Sequence, residues 1–170
     1  MLKLAVLALV GAVSAVGAAQ AVATLQPDHG TPALIAAAAR IAPAPEASGA
    51  PASIAKASDG HYWAEADVNG ARVRFLVDTG ASAVALTAAD AQRLGFEPER
   101  LNYAYSVMTA NGQAKAASIK LAMVSVAGAS VADVDALVID KGLDTSLLGM
   151  TYLGRLSRFE ATRTALILRP

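Results

Sequence analysis

Beyond residue 60 the chain alternates. Tyr62, Ala64, Ala66 and Val68 fall on one side while Trp63, Glu65 and Asp67 fall on the other, the period of two expected of a half-buried strand. Ala71 to Val77 alternates again with Arg72 and Arg74 outward, and Asn69-Gly70 lies between the two runs. An Asn-Gly pair in that position predicts a type I′ hairpin, because both central residues of that turn need positive φ. After a tight turn at Gly80, the apolar Val84-Ala85-Leu86 leads into Thr87. The Thr87 hydroxyl is placed to cap a short helix that Gly95 closes, with Asp90 in its first turn. Tyr103 to Met108 and Ala116 to Val126 flank Asn111-Gly112, which predicts a second hairpin tip. Val131 to Ile139, Leu147 to Met150 and Leu166 to Leu168 supply further short strands, with one helix near Met150 to Leu156. Closely spaced strands with tight turns predict a small barrel or sandwich rather than a parallel sheet with crossover helices.

The upstream part has a different pattern. Lys3 is the sole charge before Asp28, and Leu4 to Val16 is almost wholly aliphatic. Residues 1–25 therefore read as a cleaved signal peptide, with small-x-small sites at Ala19-Gln20-Ala21 and Ala21-Val22-Ala23, or as an N-terminal membrane anchor. N-terminal sequencing of the mature protein distinguishes the two. Either reading carries the rest of the chain across a membrane, since Lys3 stays on the cytoplasmic side. Residues 26–57 hold most of the prolines and no aromatic residue, with Ala-Pro-Ala-Pro at 42–45. That composition predicts an extended linker, because it offers too little large apolar surface to offset the entropy of ordering. A short helix over Ala33 to Arg40 is compatible with it. Every aromatic residue lies beyond, so the folded domain is expected at 58–170.

Composition narrows the chemistry. The 170 residues carry 14 Lys and Arg against 14 Asp and Glu. A net charge of zero provides no basic face for nucleic acid. With no cysteine there is no thiol nucleophile, disulfide or thiolate-bound metal, and His29 and His61 are the only histidines. No metal site is expected. No phosphate-cradling glycine loop is present, and Ser82 has no histidine partner within its motif.

The candidate chemistry sits in Leu76-Val77-Asp78-Thr79-Gly80-Ala81-Ser82. A carboxylate directly after an apolar strand and directly before a glycine turn is held by the strand end in a place of low local dielectric. Gly80 permits close backbone approach, and Thr79 supplies a hydroxyl to lock the loop. These are conditions that separate a working carboxylate from an ordinary surface Asp.

This segment resembles the active-site loop of the retropepsin-like aspartic proteases. The likeness extends to Thr109-Ala110-Asn111-Gly112-Gln113, which matches the family's glycine-tipped flap, and to Leu147-Leu148-Gly149, which matches its late hydrophobic-hydrophobic-Gly motif. The chain most resembles the bacterial, exported or membrane-tethered branch. The resemblance implies an all-β closed barrel with one or two short helices, no cofactor, and an aspartic endopeptidase of polypeptides. It assigns Asp78 as the catalytic residue, Thr79, Gly80, Ala81 and Ser82 as its loop, and Thr109, Ala110, Asn111 and Gly112 as the substrate-binding flap. It also implies a periplasmic location, with the inner membrane as the anchor if the first segment stays uncleaved. One departure stands out, since viral relatives follow the late glycine with Arg and an acid or amide, where this chain has Met150 and Thr151.

The family's mechanism needs two carboxylates sharing a proton, and this chain offers one Asp-Thr-Gly. Asp144-Thr145-Ser146 lacks the turn glycine and a leading apolar strand, so it reads as a polar turn. The expected consequence is a homodimer with Asp78 of each protomer meeting on a two-fold axis, Thr79 reaching across it, and the flap closing over an extended peptide. The alternative is a catalytically inactive dimeric peptide-binding or envelope interaction module of the same fold. Elsewhere His61 reads as a strand-start residue. Tyr103 and Tyr105 read as neighbours on one strand face, and Arg155, Arg158 and Arg163 as solvated helix and turn charges.

Overall fold

A computed structural model describes residues 45–170. The readings for residues 1–25 and for the first part of the linker, through residue 44, lie outside the described residues. In chain order the elements are β1 (Ser48–Gly49), β2 (Ala52–Ala55), β3 (Trp63–Val68), β4 (Ala71–Val77), β5 (Val84–Thr87) and helix α1 (Ala88–Arg93). After a 3-10 turn at Pro98–Arg100 come β6 (Tyr105–Thr109), β7 (Gly112–Val126), β8 (Ala129–Ile139), β9 (Ser146–Leu148), helix α2 (Met150–Leu153), β10 (Arg158–Ala161) and β11 (Ala165–Arg169).

The main sheet runs β1-β8-β5-β9-β4-β3-β7-β6, and an additional β7–β8 pairing closes it. The result is an all-β closed barrel with two short helices. A three-stranded sheet, β10-β11-β2, lies beside it. Local sequence dictates much of this. Asn69 and Gly70 take φ of 52° and 86°, so the first hairpin turns as the Asn-Gly pair requires, and β3 and β4 pair from Val68↔Ala71 outward. Thr87 Oγ1 accepts from Asp90 N at 3.1 Å and caps α1, while Gly95 beyond the helix takes φ of 88°.

Four expectations change. The folded unit begins before residue 58, because β2 pairs antiparallel with β11 and β1 with β8. Ala52 and Ile54 are buried in alternation with exposed Ser53 and Ala55, so backbone pairing and two buried aliphatic side chains suffice where aromatic ones are missing. The barrel also contains two parallel pairs, β4–β9 and β5–β8, formed by long excursions of chain rather than by crossover helices. Tyr103 precedes β6 and packs against the core, whereas Tyr105 is exposed, so the two do not share a face. Arg155 donates to the carbonyls of Asp133 and Pro45 and so ties the upstream segment down; Arg158 sits on β10 and pairs with Glu160 at 3.0 Å.

The core is aliphatic around Phe75, Leu86, Leu121, Leu148 and Leu168, with Tyr152 as its largest fully buried side chain. The Tyr152 hydroxyl donates to Ala129 O at 2.9 Å. Burial pushes its phenol well above the ordinary tyrosine range. In the unfolded chain the same phenol ionises near pH 10, so above that value the folded state binds the extra proton and stability falls as pH rises. Tyr152→Phe costs about 1–2 kcal/mol at pH 7 through the lost hydrogen bond. Its deficit narrows by up to about 1.4 kcal/mol per pH unit above pH 10. Urea unfolding of both chains at pH 7 and pH 10.5 measures the difference, and a deficit that stays constant would count against burial of the phenol.

Candidate active site

Parallel pairing of β4 with β9 sets Val77 beside Leu148, so the chains leaving these strands, at Asp78 and at Gly149, emerge side by side. Asp78 N donates to Leu148 O at 3.2 Å. The Asp78 side chain is half-buried and its Oδ1 accepts from Gly80 N at 2.8 Å, while Ala81 N closes the turn onto Asp78 O at 3.2 Å. Thr79, Gly80 and Ser82 are exposed. A Cβ added at Gly80 would stand 3.1 Å from Asp78 Oδ1, so glycine here keeps the carboxylate uncrowded. Its φ is not in the left-handed region, and space rather than backbone conformation is what the position demands.

The late glycine serves the same loop from the other side. A Cβ on Gly149 would lie 2.1 Å from Ala83 O and 2.7 Å from Ala81 O. Met150 N then donates to Ala81 O at 2.9 Å, and Val84 N donates to Thr151 Oγ1 at 2.9 Å. Thr151 thus pins α2 to the strand after the Asp78 loop. That is how this chain holds the helix with Met150 and Thr151 after the late glycine.

Over the loop hangs the β6–β7 hairpin. Its turn residues are Ala110 and Asn111, with Thr109 paired to Gly112, one position earlier than the Asn111-Gly112 tip expected from sequence. Gly112 takes the positive φ, 104°, after a turn that needs none. Thr109 Oγ1 accepts from Asn111 N at 3.2 Å and donates to Gly112 O at 2.9 Å. Asn111 Nδ2 reaches across to Gly142 O at 3.2 Å, which latches the tip to the segment preceding β9. Asn111→Ala removes this latch, and hydrogen exchange at the amides of residues 110–112 is expected to quicken about fivefold, as loss of about 1 kcal/mol of local protection implies. Unchanged exchange would show that the tip is held by other contacts.

Between these parts lies a cleft of about 440 Å³, bordered by Asp78, Gly80, Ala81 and Ser82 below and by Thr109, Ala110 and Asn111 above. Thr79 and Gly112 lie outside its lining. Sequence reasoning missed the third wall, Gly142 to Thr145, whose Asp144 and Thr145 begin the triplet that reads as a polar turn. It also missed Ser146 itself, which is fully buried. The Ser146 hydroxyl donates to Asp90 Oδ2 and accepts from Thr87 N at 3.1 Å, joining α1 to β9. Asp90, read as an ordinary first-turn carboxylate, is buried for that reason and is further paired with Arg93. No local pattern announces a bond between residues so far apart in the chain.

A half-buried carboxylate in a glycine turn, under a hairpin flap and beside a second glycine loop, is the arrangement that the family resemblance implies. The family model described as "gag-polyprotein putative aspartyl protease" matches residues 64–155, more than half of the chain. The chain belongs to the retropepsin-like aspartic proteases. Among solved structures, a retropepsin-like aspartic protease from Rickettsia conorii is similar with a TM-score of 0.65 and 42% identity, over 72% of this chain and 92% of that one. Two curated relatives are uncharacterized proteins. One, from Rickettsia prowazekii (strain Madrid E), is 45% identical over 115 residues, 68% of this chain. The other, from Sinorhizobium sp and described as lying in the cobV 5′ region, is 43% identical over 115 residues, 67% of this chain. The retropepsin-like chain spans about half the length of each, 49%.

Proposed function

We propose that this chain is an aspartic endopeptidase in which two protomers each contribute Asp78 to one centre that hydrolyses peptide bonds. The observation that carries the reading is the placement of Asp78. Its carboxylate is oriented by Gly80 N and borders a cleft roofed by a flap, and the sequence contains no second Asp-Thr-Gly to complete a pair within one protomer. Exposed Thr79 and Gly80 are then available to a second copy across a two-fold axis.

In the assembled site the two carboxylates hold one proton between them, because adjacent like charges do not both ionise. The ionised member takes a proton from water as the water attacks the scissile carbonyl, and the protonated member donates to the carbonyl oxygen. The tetrahedral intermediate collapses when a hydroxyl proton returns to the ionised carboxylate while the other carboxyl, protonated by the attacking water, gives its proton to the leaving nitrogen. The flap residues Thr109 to Asn111 cover an extended polypeptide and exclude water. Activity is therefore bell-shaped in pH and greatest where the pair carries a single proton. Sedimentation beside casein digestion, for the wild type and Asp78→Asn, tests the reading. A dimer whose proteolysis is indifferent to Asp78→Asn would remove it, and a dimer that binds peptide and cuts nothing between about pH 3 and 8, where carboxylates and histidine titrate, would favour a binding module.

A further inference from the structure

The cleft beside Asp78 has an aliphatic wall, with backbone, hydroxyl, the Asn111 amide and two carboxylates at its edges. Leu76, Val107, Leu137, Ile139 and Leu143 supply the apolar surface. Among the lining residues, only Asp144 besides Asp78 carries a charge. Its side chain is exposed, and it takes part in none of the ion pairs among the described residues. The segment that carries it is fixed on both sides. Asn111 of the flap holds Gly142 O, and Ser146, buried against Asp90, anchors the start of β9. Asp144 thus lines the same cleft as Asp78 on a constrained segment and has no ion-pair partner among the described residues.

We propose that Asp144 is a specificity-determining residue that selects a Lys or Arg side chain of the substrate in the subsite it borders. A long basic side chain suits such a wall, because its methylene stem lies along apolar surface while its charged head reaches a carboxylate at the rim. An acidic side chain in the same subsite meets like charge in a cleft where solvent screens less than in bulk water. The inference rests on the proposed peptidase reading. In the two-fold assembly each protomer brings its own Asp144, so basic selection applies on both sides of the scissile bond.

The test uses the full chain and sets of otherwise identical fluorogenic peptides carrying Lys, norleucine or Glu at each position in turn around the cleavage site. Norleucine keeps the stem of Lys and removes its ammonium. Lys is expected to exceed norleucine by about fivefold in kcat/KM at the position facing Asp144, with Glu the poorest of the three. That ratio falls to about one in Asp144→Asn, inverts toward Glu in Asp144→Lys, and shrinks in high salt. Ratios within one variant do not depend on how much of it is folded. Equal cleavage of Lys and norleucine peptides by the wild type, or a Lys preference that survives Asp144→Asn, overturns the inference and leaves the peptidase reading standing. If the wild type cuts no peptide faster than Asp78→Asn does, both fall.

Discussion

On the proposed reading, Asp78→Asn is expected to lower peptide-bond cleavage by about a thousandfold, the scale of a lost acid–base partner, with the fold and the proposed self-association retained. The amide oxygen of Asn still accepts from Gly80 N, which holds Asp78 Oδ1 at 2.8 Å in the native loop, so the geometry of the turn survives. What is lost is a group able to take up and release a proton. Mixing the two chains sharpens the measurement. If each centre needs one Asp78 from each protomer, then at fixed total protein an equimolar mixture that has exchanged subunits retains about a quarter of the wild-type activity. A centre complete within one protomer would retain about half. The quarter would tie catalysis to a shared pair, and the half would sink that part of the proposal even if Asp78→Asn alone were inert.

Gly149→Ala is expected to prevent a stable fold. The added Cβ would stand 2.1 Å from Ala83 O and 2.6 Å from Ala83 C, and backbone atoms have no rotamer by which to yield. Relief requires α2 to move away from the Asp78 loop, breaking the bonds from Met150 N to Ala81 O and from Val84 N to Thr151 Oγ1. Overpacking of this kind, with two hydrogen bonds lost, costs about 3 kcal/mol or more, a large part of the stability of a small domain. Denaturant unfolding of the soluble fraction measures it. A loss of under about 1 kcal/mol, the size of an ordinary substitution, would show that the loop and helix separate more easily than their contacts imply. Gly80→Ala is milder by comparison, since its nearest neighbour at 3.1 Å is a side-chain oxygen that can shift.

Much of the barrel is legible locally. The Asn69-Gly70 turn, the Thr87 cap and the alternation of β3 and β4 each depend on residues within a few positions of one another, and turn and strand preferences operate at that range. The same is true of the Asp78 loop, whose hydrogen bonds from Gly80 N and Ala81 N are internal to the motif. The flap tip is displaced by one residue because Gly112 serves as the positive-φ residue after the turn rather than within it. Strand β2 escapes a reading by composition because Ala52 and Ile54 are its sole buried side chains, and its pairing with β11 is made by backbone. Composition registers apolar surface and is blind to a backbone ladder.

By itself, then, the amino-acid order determined where the carboxylate-bearing turn, the hairpins and the capped helix lie, because each is stabilised by near neighbours. Tertiary structure alone decided the parallel seam of β4 and β9 that brings Gly149 up to the Asp78 loop. It also decided the burial of Asp90 against Ser146 and the placement of Asp144 in the wall of the cleft. These features join residues far apart in the chain, 56 positions in the case of Asp90 and Ser146, and their energies come from packing and hydrogen bonds that exist once the barrel has closed.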